Sequence, residues 1–229
     1  MKTRRGTIFV FMVIVGIVFM ACDNGSNGGD NSNDLTEDIH NIIPADILEA
    51  FNKIGIEINY GRNPPNIEGI FLCSPMVLVR SNFTDGWLPG RQISDEHLTF
   101  SKQDNINLTV VCNYDISSTA GSGLGSFITG SGNKFSVFTE ISGTSSGYPY
   151  KSVEIRSGEI TATGIKNYYM SGIITEDAPT TIKRGQGRLY YDKDGFSEKL
   201  SSISTSMSIF APGENGTNPD ALLSNIYSK

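Results

Sequence analysis

The chain has 229 residues, 24 acidic against 18 basic side chains, and a net charge of −6. Three of the basic residues lie in the first five positions, so from residue 22 onward 15 basic side chains face 24 acidic ones, a charge of −9. That balance excludes nucleic acid as a partner, because phosphate binding needs a concentrated basic face.

The chain opens with Lys2, Arg4 and Arg5, followed by fourteen uncharged, mostly apolar residues from Ile8 to Ala21. As a helix that run would reach roughly 21 Å, short of the ~30 Å hydrocarbon core of a bilayer. A basic start, a short apolar core and a small residue before the cut form the pattern of a secretory signal, here 1–21. Residues 23–42 (DNGSNGGDNSNDLTEDIHNI) hold five acids and no Lys or Arg. Such a stretch buries too little apolar surface to offset its ordering entropy, which predicts a disordered tether. At this composition its span is roughly 25 Å.

Phe19-Met20-Ala21-Cys22 resembles the lipobox of bacterial lipoproteins. The resemblance implies cleavage before Cys22, acylation of that cysteine, and a place in the bacterial cell envelope, at the outer membrane or on a periplasmic or surface face. Acyl chains, such as palmitate, would then hold the chain to the membrane, each buried CH₂ adding about 0.8 kcal/mol. With Cys22 acylated, Cys73 and Cys112 remain as an even pair in an oxidising compartment. A disulfide could join them, though both also read as small buried apolar residues.

Residues 43–229 form one predicted domain. Pro44 suits a first helical turn, and Ile47, Leu48, Phe51 and Ile54 share one face before Gly55. This predicts a short helix acting as a lid or plug. The chain then turns to strand: Ile67–Cys73, Met76–Arg80, Leu98–Lys102 and Ile106–Tyr114. Phe135, Val137 and Ile141, then Val153 and Ile155, then Ile160 and Ala162 alternate with polar residues, and Tyr168–Thr175 continues the run. Period-two alternation predicts sheets with the apolar side buried and the polar side wet. Ser157-Gly158, Lys166-Asn167 and Asp194-Gly195 read as hairpin turns. Asn218-Pro219-Asp220 starts a last short helix carrying Leu222, Leu223 and Ile226.

Many short antiparallel strands with tight turns predict a mainly all-β fold, an up-and-down barrel with one short helix at each end. The run Asn63-Pro-Pro-Asn-Ile-Glu-Gly69-Ile-Phe71, following a helix, resembles the opening of lipocalin-like (calycin-like) domains of bacterial lipoproteins. The resemblance implies a barrel holding a small, partly apolar ligand, but it assigns no ligand-binding residues. The second reading is a filled barrel with a structural, envelope or host-contact role.

Several strings mimic chemistry. Gly143-Thr144-Ser145-Ser146-Gly147 matches a nucleophile elbow, but the only histidines, His40 and His97, lie upstream and no helix pattern follows. Ser131-Gly132-Asn133-Lys134 reads as a turn rather than the Ser-x-x-Lys of penicillin-recognising enzymes. Asp192-Lys193-Asp194-Gly195 lacks the later ligands of a calcium loop. No catalytic residue, metal site or cofactor is expected. Trp87, the single tryptophan, sits in the loop Asn82–Arg91 and reads as a lid folded back on the core. Tyr168-Tyr169 and Tyr190-Tyr191 each place one ring on either face of a strand.

Overall fold

The computed structural model describes residues 35–116, 119–145, 148–176 and 183–202. Two helices, α1 (Glu37–Ile42) and α2 (Ala45–Ile54), precede ten strands. These are β1 (Gly69–Cys73), β2 (Met76–Ser81), β3 (Glu96–Asp104), β4 (Thr109–Ile116), β5 (Thr119–Ser131), β6 (Lys134–Ser145), β7 (Tyr148–Ile160), β8 (Gly164–Glu176), β9 (Gly187–Asp192) and β10 (Phe196–Leu200).

The ten strands make eight staves. β9 and β10 do not pair with each other: β9 runs beside β8 from Tyr169 to Ile173, and β10 beside the same strand from Gly164 to Lys166. They are one long strand with an extra loop at Lys193–Gly195. β1 and β2 likewise share a stave, broken at the cis Ser74–Pro75 bond, with β1 on β10 and β2 on β9. Every pairing is antiparallel, and β10 closes the sheet by meeting both β1 and β8. The result is the mainly all-β, closed up-and-down barrel that the hairpin rhythm predicts.

Three expected hairpin turns are bulges or irregularities inside staves. Gly158 lies within β7, Asn167 within β8 at φ 51°, and Asp194-Gly195 between β9 and β10. Closing a sheet needs local bends, and Gly and Asn mark these as readily as they mark turns. A side chain at Gly158 would sit 2.6 Å from Ile165 Cγ2. The turn between β7 and β8 is instead Thr161–Thr163, where Thr161 Oγ1 donates to Gly164 O at 2.8 Å. Ile160 ends its strand there and Ala162 is an exposed turn residue, not a strand residue. Ile106, read as part of the β4 face, lies in the preceding turn and is 91% exposed.

At one end of the barrel, the base, the chain from Ile56 to Glu68 wraps round the wall and under it. Gly130 N donates to Gly61 O at 3.0 Å. The Gln103 side chain accepts from Ile67 N at 2.9 Å and donates to Pro65 O at 2.8 Å. Ile67 is thereby buried among the interior residues. Above it Phe100 packs on Phe71 at 6.3 Å and on Phe135 at 5.9 Å between ring centroids. Val110, Ile128, Val137 and Ile165 belong to the same apolar cluster.

The helices correct two expectations. α2 is not a plug: Ile47, Phe51 and Ile54 pack outside the barrel on Phe138, Val153, Ile155, Ile173 and Leu189. Residues 35–42, expected to be part of the tether, are ordered and packed. Thr36 caps α1 by accepting from Ile39 N, and Leu35, Ile39 and Ile43 join the same cluster. Their i, i+4, i+8 spacing supplies the apolar stripe that the acidic composition hides. Gly55, in the left-handed conformation at φ 90°, ends α2 as expected. Cys22, the expected acyl acceptor, and the expected helix from Asn218 lie outside the described residues.

Candidate functional site: a charged cluster inside the barrel

The outer cluster reverses the reading of β7. Val153 and Ile155 face outward under the helices, so Glu154 and Arg156 face inward. Alternation shows that two faces differ; it does not show which one is inside when helices cover the outer wall.

Arg156 lies on the same rung as Val137 and Met170, both in the interior cluster. Its Nε and Nη2 donate to Glu96 Oε1 at 3.1 and 2.8 Å. Its Nη1 lies 2.7 Å from Glu154 Oε2. Tyr168 OH donates to Glu96 Oε2 at 2.6 Å. The guanidinium also sits 4.3 Å from the Tyr114 ring centroid, a cation–π contact. Arg156 is 1% exposed, Glu96 0% and Glu154 4%.

Electrostatics follow from that burial. Desolvation pushes the Glu154 carboxyl above its ordinary value; Arg156 opposes the shift and Glu96 reinforces it. Burial works against the Arg156 charge, yet Glu96 and Glu154 outweigh it and hold the guanidinium protonated. Burial, then the charge of Glu96, pushes the Tyr168 hydroxyl well up, so it remains a donor.

One rung nearer the mouth, Glu154 pairs with Gly172 and Gly172 with Arg188. Arg188 is fully buried and ion-paired with Asp85 from the 82–95 loop. That loop folds over the mouth. Asp85 accepts from Trp87 N at 3.1 Å. The Trp87 ring meets the guanidinium of Arg188 at 4.2 Å and that of Arg91 at 3.7 Å. Gly90, Arg91 and Ile93 bond to β2, and Asn82 grips Gly185 O and Gly187 N at 2.7 and 2.8 Å. Trp87 is 8% exposed, so it is folded back on the core as its sequence context predicts.

A further carboxyl, Asp192, is fully buried where the β9–β10 stave bends. Its Oδ2 accepts from Ser74 N at 3.1 Å and Ser197 Oγ at 2.7 Å, while Oδ1 has no hydrogen-bond partner. Burial pushes this carboxyl up, against the Ser197 hydrogen bond. The residue singled out in a calcium-like string is thus an interior side chain.

Cys73 and Cys112 are buried and free. Cys73 pairs with Glu96 on β3, whereas Cys112 pairs with Phe100 of the same strand. A four-residue offset is on the order of 13 Å, beyond the ~7 Å Cα separation a disulfide allows. The pairing considered from sequence is therefore not formed. Ser131–Lys134 is the β5–β6 hairpin, with Lys134 reaching Glu57 at 2.9 Å. Gly143–Ser145 is the end of β6 and is followed by another strand. Among the described residues no group of three or more His, Cys, Asp and Glu side chains is placed to hold a metal ion. Tyr168 and Tyr190 face the interior, while Tyr169 and Tyr191 stack outside at 4.5 Å.

Glu96, Arg188 and Asp192 were not legible as site residues. Glu96 and Asp192 stand among other polar residues at strand ends and Arg188 is a single charge in an apolar strand, so only closure of the barrel brings them within a shared interior. The class defined is a closed eight-stave barrel with an aromatic base and a charged cluster in its upper interior. In comparison with known proteins, the chain matches no family model, no curated protein and no solved structure.

Proposed function

We propose that the chain is a membrane-anchored lipoprotein of the bacterial cell envelope whose barrel is a binding module for a small, partly apolar ligand. Acyl chains on Cys22 attach it to the membrane, and the upper interior of the barrel receives the ligand beneath the Trp87 loop. The observation that supports this is the Glu96–Arg156–Glu154 cluster inside the barrel. Apolar residues of similar volume often fill a core as stably or more so, because buried ions lose their hydration. A role in recognising polar groups accounts for keeping them. The reading is of binding rather than catalysis.

The alternative, a filled barrel with a structural or host-contact role, draws on the packed Phe71, Phe100 and Phe135 at the base. Native mass spectrometry of the full chain separates the two. A bound small molecule, or saturable uptake of the neutral fluorophore N-phenyl-1-naphthylamine, is expected; absence of both would favour the filled barrel. Cys22→Ser is expected to move the protein from the detergent phase to the aqueous phase on phase partitioning. Unchanged partitioning would refute anchoring through Cys22.

A further inference from the structure

The outer wall at β1 and β10 carries a groove of about 690 Å³. Alternation sets its floor: Phe71, Cys73 and Ser197 are buried toward the interior, so Leu72, Phe196 and Leu200 face outward. β8 passes beneath the Phe196 ring without a side chain, since a Cβ at Gly164 would stand 2.6 Å from Phe196 Cζ. Leu72, Phe196 and Leu200 are only half-buried, because α1 and α2 cover the wall of β6–β9 instead. Ala162 of the β7–β8 turn and the carboxylates Asp194 and Glu198 also line the groove.

We infer that residues 203–210 of this same chain close the groove as an extended strap, apolar face down. They lie outside the described residues, and three features select them. The first is position. Leu200 and Ser201 themselves line the groove, and the backbone bends at Ser201 and Ser202. Straight continuation has no ladder to join: β8 begins at Gly164, already paired with Glu198, and β1 at Gly69, one residue beyond the partner of Leu200.

The second is pattern. The chain continues Ile203-Ser-Thr-Ser-Met-Ser-Ile-Phe210, and Pro212-Gly213 ends the run. Ile203, Thr205, Met207 and Ile209 alternate with Ser204, Ser206 and Ser208, which gives an extended segment one apolar or β-branched face and one hydroxyl face. Eight extended residues span roughly 26 Å, longer than the five residues of β10. The third is charge. Asp194 and Glu198 meet the occupant, while Lys199, the one basic lining residue, donates to Glu68 O at 3.1 Å. From Ser201 to Gly213 the chain has no charged side chain, whereas 214–229 holds Glu214 and Asp220 against Lys229. The uncharged run therefore meets the carboxylates without repulsion. Tied to the groove by two residues, it loses little loop-closure entropy on docking. The strap makes a second layer over β10, the strand that closes the sheet by meeting both β1 and β8. The groove lies outside the barrel, and its closure is independent of any ligand within.

Disulfide trapping in the full-length chain in detergent tests the strap. Ala162→Cys is combined with Met207→Cys or with Ser208→Cys, which alternation puts on opposite faces, and each pair is oxidised at high dilution. The pair with Met207→Cys is expected to close within one chain about tenfold or more faster than the pair with Ser208→Cys, read by peptide mass spectrometry. Ala162 is exposed and both pairs share its substitution, so misfolding cannot produce the difference. Equal rates, or closure of neither pair, would overturn the strap. Closure only between chains would overturn it in favour of a second copy. Shielding of Met207→Cys from a thiol reagent in micelles, without closure to Ala162→Cys, would assign the run to lipid and end the inference.

Discussion

Arg156 shows how one side chain can hold an interior together. It counters two buried carboxyl groups, so its removal leaves Glu96 and Glu154 facing each other without a cation. Arg156→Met is expected to destabilise the barrel by about 3–5 kcal/mol in urea unfolding. Replacing Arg156, Glu96 and Glu154 together by Met or Leu is expected to recover most of that loss, because no uncompensated charge remains. Asp192 gives a pH signature. Its folded-state carboxyl is raised above the ordinary value of about 3.9, so the native state binds more proton than the unfolded one. Its contribution is fully present below that ordinary value and is lost as pH rises through the raised one. Stability measured against pH should therefore fall across that interval, and Asp192→Asn should flatten the fall. An unchanged slope would mean that Asp192 titrates normally.

At the scale of elements, the unexpected features are bends that turn a sheet into a barrel. Gly158 has no room for a side chain, because β8 passes directly over it. Gly158→Val is expected to cost about 1–3 kcal/mol by overpacking against Ile165, read as a lower denaturation midpoint. The same substitution at Gly132, in the β5–β6 turn, meets no neighbouring atom within 4 Å, although its φ of +66° still disfavours valine. The variants therefore differ in cause: crowding at Gly158, backbone conformation at Gly132. The helices matter for a different reason. Their apolar stripe makes the outer face of β6–β9 dry, which frees the opposite face of β7 to carry charge into the interior. An exposed outer wall would have reversed that choice.

For the whole molecule, closure decides what can react. Burial pushes the Cys112 thiol up to about 12, and that of Cys73 well above its usual value. Neither is a nucleophile at neutral pH. The native protein is expected to leave both unmodified by a thiol reagent, and the denatured, unreduced protein to titrate both. Absence of those thiols after denaturation would mean that a disulfide had formed. The mouth has a natural reporter, since Trp87 is the only tryptophan and lies between two guanidiniums.

The sequence by itself determined the kind of fold. Period-two runs, tight polar turns and the apolar face of α2 specify an antiparallel barrel and a short amphipathic helix, because those patterns are local; the outer wall as that helix's place is a tertiary outcome. It also placed Trp87 against the core and one ring of each tyrosine pair inside. The direction in which β7 faces, the conversion of expected hairpins into bends, and the meeting of Glu96, Glu154, Arg156, Arg188 and Asp192 were decided only by the tertiary structure. Alternation is symmetric between the two faces of a strand. Only closure, and the helices packed on the outside, gives that strand an inner side and makes distant charges neighbours.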